Sequence, residues 1–294
     1  MRVFVTGATG FIGSAVVQEL IGAGHQVLGL ARSEKSAQAL IAAGAEVHSG
    51  SLDDLDSLRR GAAAAEGVIH LAFVHDFDAY AAAGETDRRA IEVLGSALAG
   101  SARPLIVTAG LAGFTLGRPA TETDAPAAGP RLSEQTALTL AAQGVRASVV
   151  RLAPSVHDRG DYGFVPTLID IARQTGAAAY VGDGLNRWPA VHRLDAARLY
   201  RLALERGATG VRYHGAADEG VPMRDMATVI GRHLNVPVVS KSSEEAAAHF
   251  GWMARFVAMD APASSTITQQ QLGWTPTQPT LLANLEQGHY FDAT

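Results

Sequence analysis

The chain reads as an α/β protein built on a doubly wound parallel sheet, with helices on both faces and a smaller, mostly helical C-terminal lobe. Three observations predict this. Short β-branched runs alternate with helical patterns through the first two-thirds of the chain. Those runs are apolar on both faces, as strands covered by helices on each side must be. A glycine-rich turn joins the first run to the first helical stretch. With 294 residues, of which 47% are hydrophobic and 18% charged, the chain can bury a sizeable core.

In order, the pattern predicts a strand over residues 3–6 and an apolar helix over 11–23. A second strand follows at 25–30, then a helix at 35–43. A weaker third strand at 46–49 precedes a helix beginning near 54. The fourth strand is expected at 68–73, followed by a long helical stretch to about 99. The fifth and sixth strands are expected at 105–108 and 145–152. A Gly/Pro/Ala-rich segment, 110–130, has no clear period and is expected to form a loop beside the site. Beyond Arg151 glycine and proline interrupt more often and aromatic residues concentrate, among them Tyr162, Phe164, Trp188, Trp252 and Phe256. Residues 1–155 are therefore expected to form the first domain. Residues 156–294 are expected to form the second lobe, interleaved with elements that return to the first.

Composition narrows the function. Lys and Arg total 24 against 29 Asp and Glu, a formal charge of −5, without the basic footprint of a general nucleic-acid binder. No apolar run of about 18 residues is present, so no membrane span is expected. There is no cysteine, which removes disulfides, thiolate metal sites and cysteine nucleophiles. No HExxH spacing occurs and no metal is expected. Residues Arg2 to Thr6 read as a strand rather than a secretory leader, so a cytoplasmic location is expected.

Thr6-Gly7-Ala8-Thr9-Gly10-Phe11-Ile12-Gly13 follows a predicted strand and opens a predicted helix. Such a loop lets the backbone approach a diphosphate, and the helix N-terminus supplies N–H donors and a positive dipole end. Gly7, Thr9, Gly10, Phe11, Ile12 and Gly13 are thus candidate dinucleotide contacts. The second strand ends Gly29-Leu30-Ala31-Arg32-Ser33, where an NAD-preferring site usually carries Asp or Glu. Arg32 can fork onto a 2′-phosphate and Ser33 can add a hydroxyl donor. The expected cofactor is NADP rather than NAD, with Glu34 as the nearby competing charge.

Thr6 to Gly13 resembles the TGxxGxxG fingerprint of the extended and atypical short-chain dehydrogenase/reductases, the NAD-dependent epimerase/dehydratase-like group, whose nucleotide domain is a Rossmann fold. Six further segments resemble that family in order. They are Gly50-Ser51-Leu52-Asp53-Asp54, Val68-Ile69-His70-Leu71-Ala72, Thr121 to Pro126, Arg151 to Val156, Val181-Gly182-Asp183-Gly184 with Val191 to Ala197, and Leu272 to Pro276. The resemblance implies that Ser51 and Leu52 lie near adenine. It also implies that Leu71, Ala72, Phe73, Pro154 and Val156 lie along the cofactor, and that a homodimer is possible.

One departure stands out. The family's reductive chemistry normally uses Ser/Thr with Tyr-x-x-x-Lys, yet none of the six tyrosines here has lysine four residues on. Ala127-Ala128-Gly129-Pro130-Arg131 occupies the expected position, leaving Arg131 at or next to the lysine place. Arginine can hold ribose hydroxyls and stabilise a forming alkoxide, but it cannot act as a general acid near neutral pH. Thr108 is the hydroxyl residue in the segment where the family places its Ser/Thr. His75, which follows the fourth strand, and Tyr162, in a glycine-punctuated loop, are candidate proton donors, with His157 and His192 behind them. His70, inside the strand, reads as structural. Asp195 reads as a helix cap or lobe tether, and Asn186, Arg187 and Trp188 as substrate-lining or lobe-holding residues.

These readings converge on an NADP(H)-dependent oxidoreductase that transfers a hydride to or from a small carbonyl or alcohol substrate. The alternatives are a non-redox epimerase/dehydratase-like enzyme and a catalytically silent NADP-binding sensor.

Overall fold

A computed structural model describes residues 1–74, 79–126 and 129–292. The first half of the chain alternates strand and helix: β1 (Arg2–Thr6), α1 (Phe11–Gly22), β2 (Gln26–Ala31), α2 (Glu34–Ala42), β3 (Glu46–Ser49), α3 (Leu55–Ala63), β4 (Gly67–His70), α4 (Tyr80–Leu98), β5 (Leu105–Gly110), α5 (Ser133–Ala142) and β6 (Ala147–Leu152). The second half continues with β7 (Ser155–His157), α6 (Phe164–Thr175), β8 (Ala178–Val181), β9 (Arg187–His192), α7 (Arg193–Arg206), β10 (Arg212–Gly215), β11 (Asp218–Pro222) and α8 (Met223–Leu234). It closes with β12 (Val238–Lys241), α9 (Ser243–Phe250), α10 (Ala254–Val257), α11 (Thr266–Leu272) and α12 (Leu281–Glu286).

Seven parallel strands form the main sheet in the order β10-β6-β5-β4-β1-β2-β3. The order reverses between β1 and β4, and such a switch point opens a crevice at the carboxyl ends of the strands. Alternation along β1 separates two cores. Val3 and Val5 meet Val16 and Leu20 of α1, Leu40 of α2 and Leu199 of α7. Phe4 meets Leu58 of α3, Ile91 and Leu94 of α4 and Leu140 of α5. β10 and α7 therefore return to the first layer after the chain has left it.

The second lobe has its own core, including Leu168, Trp188, Met226, Phe250 and Leu281. Helices supply most of its regular structure, beside two small sheets, β11-β9-β7 and β12-β8. Helix ends follow local chemistry. Ser33, Asp54 and Thr280 cap α2, α3 and α12, and Ser242 with Glu245 forms a capping box on α9. α6 and α11 stop at left-handed glycines, Gly176 and Gly273. No helix among the described residues is long and apolar enough to cross a membrane.

Polar arrangements tie distant segments together. Arg151 on β6 is fully buried and forks onto Glu134 of α5 at 2.7 and 2.6 Å, and donates to the Asp124 carbonyl at 2.8 Å and to His214 Nε2 at 3.0 Å. Burial would raise the Glu134 carboxyl, but Arg151 and Arg212 together hold it below the ordinary range. The acidic loop at 121–126 is a clamp: Asp124 accepts from Arg118 and Thr121, and Glu122 accepts from the Thr268 amide and hydroxyl at 2.7 and 2.6 Å. Asn186, Arg187 and Trp188 likewise hold the second lobe together. Their donors reach Val257 and Met259 carbonyls, the Asp260 carboxylate and the Phe256 carbonyl.

Asp195 is a further tether. The N-cap of α7 is His192, whose Nδ1 accepts from the Leu194 amide. Asp195, buried one turn in, accepts from the amides of Thr277 and Gln278 at 2.9–3.1 Å, while its carbonyl accepts from buried Trp274 Nε1 at 2.9 Å. Replacing Asp195 by Ala strands these amides. We expect a loss of about 2–4 kcal/mol and a melting temperature lower by roughly 5–10 °C. Asp195→Asn, which keeps one acceptor, should lose less. Equal thermal unfolding of wild type and Asp195→Ala would remove the tether assignment.

Candidate active site

The glycine loop sits at the switch point, between the ends of β1 and β4. Gly7 has φ +68°, and a Cβ there would lie 2.8 Å from the Ala72 backbone nitrogen. A Cβ on Gly13 would lie 2.0 Å from the Gly7 carbonyl oxygen. Both positions therefore exclude a side chain, one by backbone conformation and contact, the other by contact alone. The Gly10 amide donates to the Gly7 carbonyl at 3.0 Å, and α1 begins at Phe11 with no side-chain cap and no acidic residue in its first turn. Its first amides are left for an anion. Thr9 is exposed, and Phe11 and Ile12 are half-buried.

β4 is shorter than its sequence suggests, ending at His70 rather than near 73. Thr6 at the end of β1 draws the chain away: the Leu71 amide divides between the Thr6 carbonyl at 3.3 Å and Oγ1 at 3.2 Å, and the Ala72 amide turns onto Oγ1 at 3.2 Å. This presses Leu71 and Ala72 under the glycine loop. Phe73 lies on the same edge, with the Arg131 guanidinium 4.2 Å above its ring centroid. His75 lies outside the described residues.

At the end of β2, Arg32 is exposed and Ser33 caps α2 by accepting from the Ser36 amide at 3.2 Å. Glu34 is turned along the helix, accepting from Gln38 Nε2 at 2.7 Å. Exposed Lys35 follows in the same first turn. Ser51 and Leu52 are half-buried beyond β3, and Pro154 and Val156 are half-buried beyond β6.

Thr108 lies near the carboxyl end of β5, but its hydroxyl faces α7. It donates to the His70 carbonyl at 2.8 Å and lies 2.7 Å from Tyr200 Oη. With its single proton on His70, Thr108 accepts from Tyr200 and keeps only acceptor capacity. Tyr200 is fully buried, and burial pushes its phenol above the ordinary tyrosine range. Arg131 reaches the same strand end from the opposite side. Its Nη2 donates to the Thr108 carbonyl at 3.0 Å and its Nε to Ser133 Oγ at 2.9 Å. Nη1 has no protein partner among the described residues.

Tyr162 is 76% exposed and meets Phe11 edge-on, with centroids 6.1 Å apart. Its loop is held from two sides. Arg193 of α7 pairs with Asp158 at 3.0 Å while lying 4.8 Å above the Phe11 ring. Tyr290 Oη accepts from the Asp158 amide and donates to Asp161 at 3.0 Å. His157 and His192 are buried and pack edge-to-face, 5.3 Å apart. Burial lowers both imidazoles, His157 to about 4, so they are neutral near pH 7.

The sequence-derived candidates thus divide into groups. The glycine loop, Leu71, Ala72, Phe73, Thr108 and Arg131 gather at one strand edge, and Tyr162 stands over the loop. His157 and His192 are packed within the second lobe. Asp87, Ser133, Tyr200 and Arg193 were not singled out by sequence. Asp87 left a signal, because it interrupts the apolar face Ala83, Ala90, Ile91, Leu94 of α4. Tyr200 left none, since a tyrosine among Leu199 and Ala203 reads as core.

Comparison with known proteins fits this architecture. Residues 3–97 match the NAD dependent epimerase/dehydratase family. An uncharacterised protein of Schizosaccharomyces pombe is 50% identical over 295 residues, covering 99% of this chain and 100% of the relative. The 4-hydroxy-2-methyl-3-oxo-4-farnesyl-3,4-dihydroquinoline-1-oxide ketoreductase of Stigmatella aurantiaca is 29% identical, covering 90% of this chain and 84% of that protein. Among solved structures, the Thermus thermophilus UDP-glucose 4-epimerase in complex with NAD superposes with a TM-score of 0.77 at 19% identity, covering 100% of both chains. The chain belongs to the NAD-dependent epimerase/dehydratase family, within the wider short-chain dehydrogenase/reductase fold.

Proposed function

We propose that the protein is an NADP(H)-dependent oxidoreductase moving a hydride to or from a small carbonyl or alcohol substrate. One observation carries this reading: a glycine cradle with no room for side chains and a cation with a spare donor, Arg131, share one strand edge. The cradle fits a diphosphate, held by the amides of Phe11 and Ile12 at the start of α1, with Gly7, Gly10 and Gly13 giving the backbone room to approach and Thr9 at the rim. Ser51 and Leu52 would bound the adenine. Leu71, Ala72 and Phe73 would line the strand side, with Pro154 and Val156 farther along. The similarity to a ketoreductase over 90% of this chain and 84% of that protein supports carbonyl chemistry.

Arg32 and Ser33 support NADP over NAD. An exposed guanidinium beside a helix N-terminus suits a 2′-phosphate, and Glu34, engaged with Gln38, is turned along the helix.

The nicotinamide, when bound, supplies or accepts the hydride. Arg131 Nη1 would hold a hydroxyl of the nicotinamide ribose and stabilise negative charge on the substrate oxygen, and Thr108 would accept a hydrogen bond from a ribose or substrate hydroxyl. Neither delivers a proton: guanidinium holds its own above about pH 12, and the Thr108 proton is committed to His70. Tyr162, an exposed phenol over the cradle, is the donor we assign, with His75, which follows β4 in the sequence, as the other candidate.

A second reading, an NADP-binding sensor without turnover, draws on the buried state of Tyr200. The phenol paired with Thr108 lies beneath the strand edge, with its proton on Thr108. Following NADPH absorbance across a panel of aldehydes and ketones separates the two. Tight NADPH binding with no turnover on any of them would favour the sensor.

Two further outcomes are expected. In calorimetric titrations Arg32→Ala should weaken NADPH by about 10–100-fold, the worth of a charge-assisted contact, and leave NADH nearly unchanged. Equal loss for both coenzymes would refute the 2′-phosphate assignment. In turnover assays Tyr162→Phe should lower kcat by about 10²–10⁴-fold while NADPH affinity stays within a factor of about three. An unchanged kcat would exclude Tyr162 as the donor.

A further inference from the structure

A chain of directed hydrogen bonds runs beneath the crevice, from the residue ahead of the glycine loop to Arg131. Its direction can be read from donor and acceptor capacity. Thr6 Oγ1 accepts from the Leu71 and Ala72 amides, so its own proton is free to go to His70 Nδ1, 2.8 Å away. His70 then carries its proton on Nε2 and donates to Asp87 Oδ1 at 3.0 Å. From the other side, Ser133 donates to Asp87 Oδ2 at 2.5 Å, because a carboxylate only accepts. That fixes a Ser133 lone pair toward Arg131 Nε, 2.9 Å away.

His70, Asp87 and Ser133 are each at most 2% exposed, so water does not compete for these bonds. Burial alone would raise the Asp87 carboxyl, but His70, Ser133 and the nearby Arg131 charge together hold it below the ordinary range. Every donor in the chain points inward to Asp87. It is a buried acceptor on which two separate parts of the site are hung.

We infer that Asp87 is a positioning residue for Arg131. Acting through Ser133, it sets the guanidinium at the nicotinamide end of the crevice, and acting through His70 and Thr6 it ties that setting to the strand end beneath the glycine loop. The inference rests on the proposed NADP(H) reading. It goes beyond it by naming residues that touch neither cofactor nor substrate, yet control the cation that does.

The test is a binding cycle that needs no turnover. NADPH and adenosine 2′,5′-bisphosphate, which occupies only the adenine half, are titrated against wild type, Ser133→Ala, Arg131→Ala and the double variant. Ser133→Ala removes one hydroxyl and should weaken NADPH about 5–20-fold, leave the bisphosphate unchanged, and add nothing in the Arg131→Ala background. Asp87→Asn should reproduce the pattern, and Ser133→Ala keeps the test sound if the Asp87 variant does not fold. Equal losses for both ligands, or additive losses of NADPH affinity, would overturn the inference while leaving the NADP(H) reading standing. A wild-type protein that binds the bisphosphate but not NADPH would overturn it as well. One that binds neither would overturn the NADP(H) reading, and this inference with it.

Discussion

The site depends on backbone approaching backbone where β1 and β4 end. The Gly7 turn lies against Ala72 and the Gly7 carbonyl against Gly13, at distances that no Cβ could share. Thr6 completes the junction by drawing the amides of Leu71 and Ala72 onto its hydroxyl. β4 thereby leaves the sheet at His70, and its exit segment runs under the loop. A parallel sheet with reversed strand order opens a crevice at this point in any protein of the class. Here the three contacts set how close the crevice walls stand and leave the α1 amides facing it.

From that junction the polar groups spread through both layers of helices. His70 turns toward α4, and Thr108 turns toward α7, as strand alternation requires. Arg131 closes the circle from ahead of α5, with one nitrogen on the Thr108 carbonyl and its plane over Phe73. The strand ends that bound the crevice are thus cross-linked by side chains from α4, α7 and the α5 entry. A region assembled in this way holds Arg131 in one orientation, since its Nε, one Nη and the guanidinium face are all engaged. The Tyr-x-x-x-Lys spacing does not occur in the sequence, yet a hydroxyl, a phenol and a cation still meet at one strand end. They do so in a different order, with the phenol of Tyr200 beneath Thr108 rather than facing the crevice.

How much of this was legible depended on sequence distance. The glycine loop, the strand succession and the position of Arg131 could be read because each is a local pattern. Thr108 could be placed at its strand end, but its hydroxyl is governed by Tyr200, 92 residues away, and no local pattern carries that pairing. Asp87 was readable in principle, since an acid within an apolar helical face needs a buried partner. Its partner His70 lies 17 residues away inside a strand, and nothing in the sequence joins the two. The two small sheets of the second lobe were also unread: β7, β8, β11 and β12 are only three to five residues long, too short for period-2 alternation to stand out.

The three arginines that matter most differ in how their charge is treated. Arg151 forks directly onto Glu134, and Arg187 directly onto Asp260 at 3.0 Å. In both, the carboxylate neutralises the guanidinium at contact, which suits a structural brace. Arg131 is different, because Ser133 stands between it and Asp87. The hydroxyl passes on orientation while keeping the two charges a residue apart, and attraction falls with distance. Arg131 is therefore held as firmly as a brace, while much of its field remains directed at the crevice. A direct ion pair would give the same rigidity and leave the strand edge electrically silent. On the proposed reading, the interposed serine is what makes a fixed arginine compatible with a site that stabilises charge on something else.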